Sequence, residues 1–292
     1  MLAGRYLAIM NYWYSFARWG AAVLASGLLL AQPAAAQTRR ATLDLQLWPE
    51  LQAELALKNG DYLFLGLRGQ RDVESASYNG DARRLGFDER RVTLGYEHFW
   101  SEHWSGGGTL RLEALGYKRL VLVPEALLRH RSSLAGLTFG QRLSLERTLP
   151  NNAGYVGGPG PDGQNWARLR VDLEKLVPVG SGGFALRPRL SYEAATRIRL
   201  LKSNTDAKQR SIDFTSARAE LGCRVSDHFD ITPWVASQTR YSFTLAQTDV
   251  NGNVTIPAGR LNLATPVIGI DARFTLFQGK TVFERQQLPT QH

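Results

Sequence analysis

The chain contains a single cysteine, Cys223. That excludes a disulfide scaffold and a metal site built from thiolates. Beyond Gln37 there is no long uninterrupted apolar run, which excludes a bundle of membrane-spanning helices. There is no glycine-rich phosphate loop, because no Lys-Ser or Lys-Thr follows the glycines between 154 and 163. Histidines are scarce: His98, His103, His130, His228 and His292. No close pair of them with a neighbouring carboxylate makes a metal site, and no Ser and His sit together as nucleophile and base. The chain therefore reads as no enzyme, with no cofactor and no metal. Acids are the minority charge, 26 Asp+Glu against 35 Lys+Arg, for a formal net charge of +9. The arginines alternate with apolar residues instead of clustering, which argues against a nucleic-acid partner.

Arg5 and Arg18 are the only charged residues before Arg39. They precede an apolar stretch over residues 21–31 and the small-residue site Ala34-Ala35-Ala36. A basic start, a short apolar core and an A-x-A site read as a secretory signal peptide over 1–36. The apolar stretch is about half the ~20 residues of a spanning helix. Met10 is an alternative start that gives a more ordinary signal length. The mature chain would carry +7, because residues 1–36 hold two arginines and no acid.

Alternation with period two fills the chain beyond Gln37. Ala167, Leu169, Val171 and Leu173 interleave with Arg168, Arg170, Asp172 and Glu174. Leu186, Leu190 and Tyr192 interleave with Arg187, Arg189 and Glu193, and Leu143 and Leu145 with Arg142 and Glu146. Successive side chains of a strand point to opposite faces. These segments run to about ten residues, longer than a typical soluble strand and close to the ~9–11 of a membrane-spanning one. One face is nearly free of charge and the other is dense in Arg and Glu, as a barrel in lipid requires. The sequence predicts an all-β fold: a closed antiparallel transmembrane β-barrel over 37–277, with a tail over 278–292. Eleven strands can be read, near 42–57, 62–73, 87–100, 104–117, 119–130, 133–147, 165–177, 183–199, 210–225, 228–247 and 255–277. Bacterial barrels have even numbers, and Trp48-Pro49-Glu50 interrupts the first segment, so the expectation is about twelve (range 10–12). Short polar turns near 58–61, 101–103, 180–183 and 226–228 alternate with longer loops at 74–86, 150–164, 201–209 and 248–253.

Leu47-Trp48-Pro49-Glu50-Leu51 with Leu63-Phe64-Leu65, then Tyr96-Glu97, Pro124-Glu125, Arg129 to Arg147 and Arg168-Leu169-Arg170, resemble a family of proteobacterial outer-membrane proteins catalogued as domain of unknown function 2490. The resemblance covers about 42–277 and implies an exported barrel. It brings no activity and no functional residues. The last segment, with Gly269 and then apolar residues at 272, 274, 276 and 277, is also similar to the terminal signal of outer-membrane barrels. Barrel-assembly machinery would engage it, from Gly269 to Phe277, by edge pairing. The expected surroundings are outer-membrane lipid and lipopolysaccharide; no oligomeric state is readable.

The charged face supplies the candidate pathway: Arg68, Arg91, Glu97, Arg111, Glu113, Arg142, Glu146, Arg168, Arg170, Asp172, Glu174, Arg187, Arg189, Glu193, Arg218, Glu220, Arg240, Asp271 and Arg273. Two readings are open. An open lumen rich in arginine would be a channel or transporter for a small solute, with anions preferred. A lumen of paired charges would be a plugged structural or assembly barrel of the cell envelope, because unpaired buried charge is costly. A barrel enzyme acting on lipid is a third, less supported reading. Pairing across strands favours the second, and an open arginine-lined path the first.

Overall fold

The computed structural model describes residues 38–73, 86–115, 119–150, 163–179, 184–198, 211–244, 247–248, 254–256 and 259–278. The chain divides into units Met1–Thr38 and Arg39–His292, and the barrel wall belongs to the second. The proposed signal peptide and nearly all of the tail fall outside the described residues. Among the described residues every element is a strand, and no helix is long and apolar enough to cross a membrane.

The strands are β1 (Thr38–Thr42), β2 (Gln46–Ala56), β3 (Tyr62–Asp72), β4 (Glu89–Phe99), β5 (Trp104–Leu115), β6 (Arg119–Leu134), β7 (Leu137–Pro150) and β8 (Gln164–Glu174). They continue as β9 (Val177–Pro178), β10 (Ala185–Ile198), β11 (Phe214–Ser226), β12 (Phe229–Thr244), β13 (Gln247–Thr248), β14 (Val254–Ile256) and β15 (Gly259–Phe277). From β2 to β15 each long strand pairs antiparallel with the next, so the wall is a simple meander. β9 adds to β10, β1 lies beside β15, and β13 pairs with β14 as a separate ribbon.

The ring closes between β15 and β2, with Val267 opposite Gln46 and Phe277 opposite Ala56. This seam is parallel. Parity is the reason: eleven strands make the ring, so the first and last run the same way. The closed all-β barrel is as expected. The wall has eleven strands, within the expected range of about twelve (10–12), and the barrel is mixed because its seam is parallel. Pro49 does not break β2. Trp48 and Pro49 drop out of the ladder with β3, but the register resumes unchanged at Glu50 opposite Arg68.

Parity also places the ends. The connections after β2, β4, β6, β8 and β11 lie at one rim, together with the end of β15. β3, β5, β7, β10 and β12 end at the other rim, where β1 and β2 start. The β6–β7 hairpin turns at Ala135 and Gly136, both at positive φ (51° and 75°). Glycine takes that conformation freely, but an alanine there costs about 1 kcal/mol. Leu-Ala-Gly-Leu carries no Asn or Asp to announce a tight turn, so periodicity alone ends β6 four residues early.

The two faces are inverted relative to a soluble protein. Leu190 is 64% exposed and Leu276 61%, and Leu51, Leu94, Leu145 and Leu169 also stand outside. Glu50, Gln52, Glu54, Arg68, Arg129, Arg189, Asp271 and Arg273 are buried inside.

Candidate functional site

The lumen is crossed by chains of ion pairs. Direct cross-strand neighbours form the simplest of these. Arg68 on β3 pairs with Glu50 on β2, its Nε lying 2.6 Å from the carboxylate. Arg91 on β4 pairs with Glu113 on β5 at 2.8 Å. From there a chain runs on: Glu113 to Arg111 at 2.8 Å, Arg111 to Glu146 at 3.4 Å, Glu146 to Arg168 at 2.9 Å and Arg168 to Glu193 at 2.8 Å. One connected network thus joins β4, β5, β7, β8 and β10.

A second chain starts on the same strands β8 and β10, nearer the short-turn rim, and continues over β11 to β15. Glu174 lies 3.9 Å from Arg187 and 3.7 Å from Arg189. Arg189 also pairs with Glu220, which pairs with Arg218 at 2.7 Å. Arg218 reaches Asp271 at 2.9 Å. Arg273 completes the seam by bridging Glu54 on β2 and Asp230 on β12, each at 3.3 Å. Nearer the short-turn rim, Arg129 on β6 reaches over β5 to hold Glu97 on β4 with two bonds of 2.7 and 2.8 Å. Ser105 on β5 donates to the same carboxylate. Arg142 pairs with Glu125, which also accepts from Thr109 at 2.7 Å. Arg170 donates to Ser191 at 3.3 Å, and Asp172 is buried on the same face.

Every candidate residue except Arg240 is therefore either buried or tied into these pairs; Arg240 stands exposed near the long-loop rim. Sequence reasoning missed Glu50, Glu54, Arg129, Asp230 and the Arg197–Asp213 pair (3.1 Å) as lumen members. Glu50, Gln52 and Glu54 do alternate at spacing two, but Pro49 beside them masked the strand.

Aromatic rings fill the middle. Trp48, Gly269 and Trp234 form one cross-strand row over β2, β15 and β12. The two indoles meet edge-on, 6.0 Å apart at 81°. Trp234 donates to Asp271 at 2.8 Å, and the Arg218 guanidinium lies over its ring at 3.9 Å. Arg68 lies over Trp48 at 5.4 Å.

A cavity of about 370 Å³ opens above this row. Its walls come from the long-loop halves of the strands, with Trp48 among the lining residues. Eight arginines line it against four carboxylates, Glu113, Glu146, Glu193 and Asp213. The carboxylates of Glu50, Glu220 and Asp271 compensate Arg68 and Arg218 without lining it. A larger hollow of about 630 Å³ lies mainly on the apolar outer wall around Leu190, Tyr192 and Val235.

At the short-turn rim, Asp61 is buried in the turn after β2 and collects four donors. They are Asn59 Nδ2 at 2.7 Å, the Tyr96 hydroxyl at 2.5 Å, His98 Nδ1 at 2.8 Å and the Phe99 amide at 3.4 Å. Burial alone would push its carboxyl up. The Tyr96 and His98 bonds outweigh burial and hold it below its ordinary value. Trp100 and Trp104 are exposed at this rim, with Trp104 4.5 Å from His130. Among the described residues no group of three His, Cys, Asp or Glu could hold a metal ion. Comparison with family models, with curated proteins and with solved structures returns no match.

Proposed function

We propose that this chain is an outer-membrane β-barrel with a plugged lumen, a structural or assembly component of a bacterial cell envelope. A closed ring satisfies its own backbone hydrogen bonds, which a strand in lipid must do. Its leucine-rich outer wall suits hydrocarbon. Export through the signal over 1–36 and membership of the resembled family, domain of unknown function 2490, belong to the same reading. So does engagement of Gly269 to Phe277 by assembly machinery while β15 is still an open edge.

The observation that carries the plug is the pairing. Arg91, Arg111, Arg168, Arg189, Arg218 and Arg273 all spend their charge on neighbouring carboxylates. A selective anion path would need that charge free, so the channel reading has less support than the plug.

Planar-bilayer recording of the purified mature protein tests this. A barrel that migrates differently before and after heating, and gives no conductance steps, is the expected result. Stepwise conductance with anion preference would overturn the plug and restore the channel.

A further inference from the structure

The charges that fill the lumen are not evenly distributed along it. Toward the short-turn rim the pairs of Arg129 with Glu97 and Arg273 with Glu54 are sealed, 1–2% exposed for each arginine. Toward the long-loop rim the cavity of about 370 Å³ remains, within the size range of small-molecule sites. Trp48 lines it, in edge contact with Trp234.

Its lining is selective by charge and by donor type. Arginines outnumber carboxylates there because a guanidinium reaches farther from the wall than the carboxylate that pairs with it. A guanidinium presents five N–H donors, and a pair with one carboxylate uses two at most. The register places Arg170, Glu193, Ser216 and Gln238 in one row across β8, β10, β11 and β12. One step nearer the rim, Phe214 stands opposite Arg240. Arg240 and Arg170 thus sit on the two sides of a patch whose centre is carboxylate, hydroxyl, amide and aromatic, from Glu193, Ser216, Gln238 and Phe214. Their strands are three spacings apart, roughly 14 Å between backbones, a gap a small molecule would span.

We propose that this recess binds a small hydroxylated organic anion, a sugar acid or a sugar phosphate. It enters from the long-loop rim, its acid group meets Arg240, and its hydroxyls meet Gln238, Ser216 and the Glu193 carboxylate. Trp48 stops it, so it is held and not conducted. Only that last step rests on the plugged lumen; binding does not.

The test is isothermal titration of the full mature protein in phospholipid nanodiscs with glucuronate, glucose 6-phosphate, glucose and inorganic phosphate. Saturable binding of either acidic sugar, weakened by salt and stronger than that of glucose or phosphate, is expected. Glucuronate alone would mark a carboxylate site and glucose 6-phosphate alone a phosphate site; both support the proposal. Arg240→Gln, at an exposed position, should raise Kd roughly tenfold, the usual scale of one charge-assisted hydrogen bond. Lys58→Gln, at the opposite rim, should leave Kd unchanged. Absence of binding in a heat-modifiable sample, equal affinity for glucose or for phosphate, or an unaltered Kd in Arg240→Gln would overturn the site. A sample that binds and also conducts would overturn the plug alone, and a silent one that does not bind would overturn the site alone.

Discussion

The indole of Trp234 lies on the bare backbone of Gly269, its register partner on β15, and a Cβ at 269 would collide with the ring. Trp48 meets the same glycine from β2. The glycine therefore lets two indoles close over the seam strand, where they carry the guanidinium groups of Arg218 and Arg68 on their faces. In the sequence Gly269 reads as the start of a terminal assembly signal. Its local role is room for a ring.

Gly269→Ala should displace Trp234 and loosen the Trp234–Asp271 bond. Overpacking of this kind costs about 1–3 kcal/mol. The urea midpoint of the folded barrel, read by heat-modifiable migration, should fall. A second change, Trp234→Leu in the Gly269→Ala background, should recover part of the loss. An unchanged midpoint in Gly269→Ala would mean that the ring is not held there.

The Arg129–Glu97 pair is buried on both sides. Removing one partner strands the other charge, a loss of about 3–5 kcal/mol, whereas removing both is far milder. Arg129→Met should therefore destabilise the barrel strongly, and Arg129→Met with Glu97→Gln should sit well above it. Additive losses in the double variant would show that the two charges are not coupled.

The strands were legible because lipid and lumen impose opposite chemistry on alternate residues. Ala167 to Glu174 shows it over a single stretch. Pairs between adjacent strands, such as Arg91–Glu113 and Asp230–Arg273, follow once register is known. Register depends on turns, and the turn at Ala135–Gly136 has no composition signal. Pairs that leap a strand were not legible. Arg129 reaches Glu97 because Ser105 and Gly107 on the intervening strand are small. Arg273 reaches Glu54 only because the ring closes there. The seam itself was hidden, since alternation on β2 and β15 is the same whether they close parallel or meet a twelfth strand.

Asp61 makes the short-turn rim sensitive to acid. Its folded pKa lies below the unfolded value, so the charged carboxylate stabilises the fold at neutral pH. That contribution is complete above the unfolded pKa of an aspartate, ~3.9, and is lost as pH falls through the lower folded value. Thermal unfolding measured from pH 7 to pH 2 should show the melting temperature dropping at the acid end. Asp61→Asn should lower it at pH 7 and flatten that acid limb. A variant with the same acid limb as the parent would remove Asp61 from the cause.

An odd strand number separates the two ends of the wall. β1 and β2 start at the long-loop rim, whereas β15 ends at the short-turn rim beside Ala56. Outer-membrane barrels keep short turns on the periplasmic side and long loops outside. On the proposed outer-membrane reading, that orientation would put an epitope inserted just ahead of Thr38 at the cell surface and one placed after Gln278 in the periplasm. An even-stranded barrel would put both on the periplasmic side. Antibody labelling of intact cells should therefore detect the first epitope and not the second, and permeabilisation should reveal both. If neither is labelled on intact cells, an additional strand must carry the chain back, and the parallel seam between β15 and β2 cannot be the closed state in the membrane.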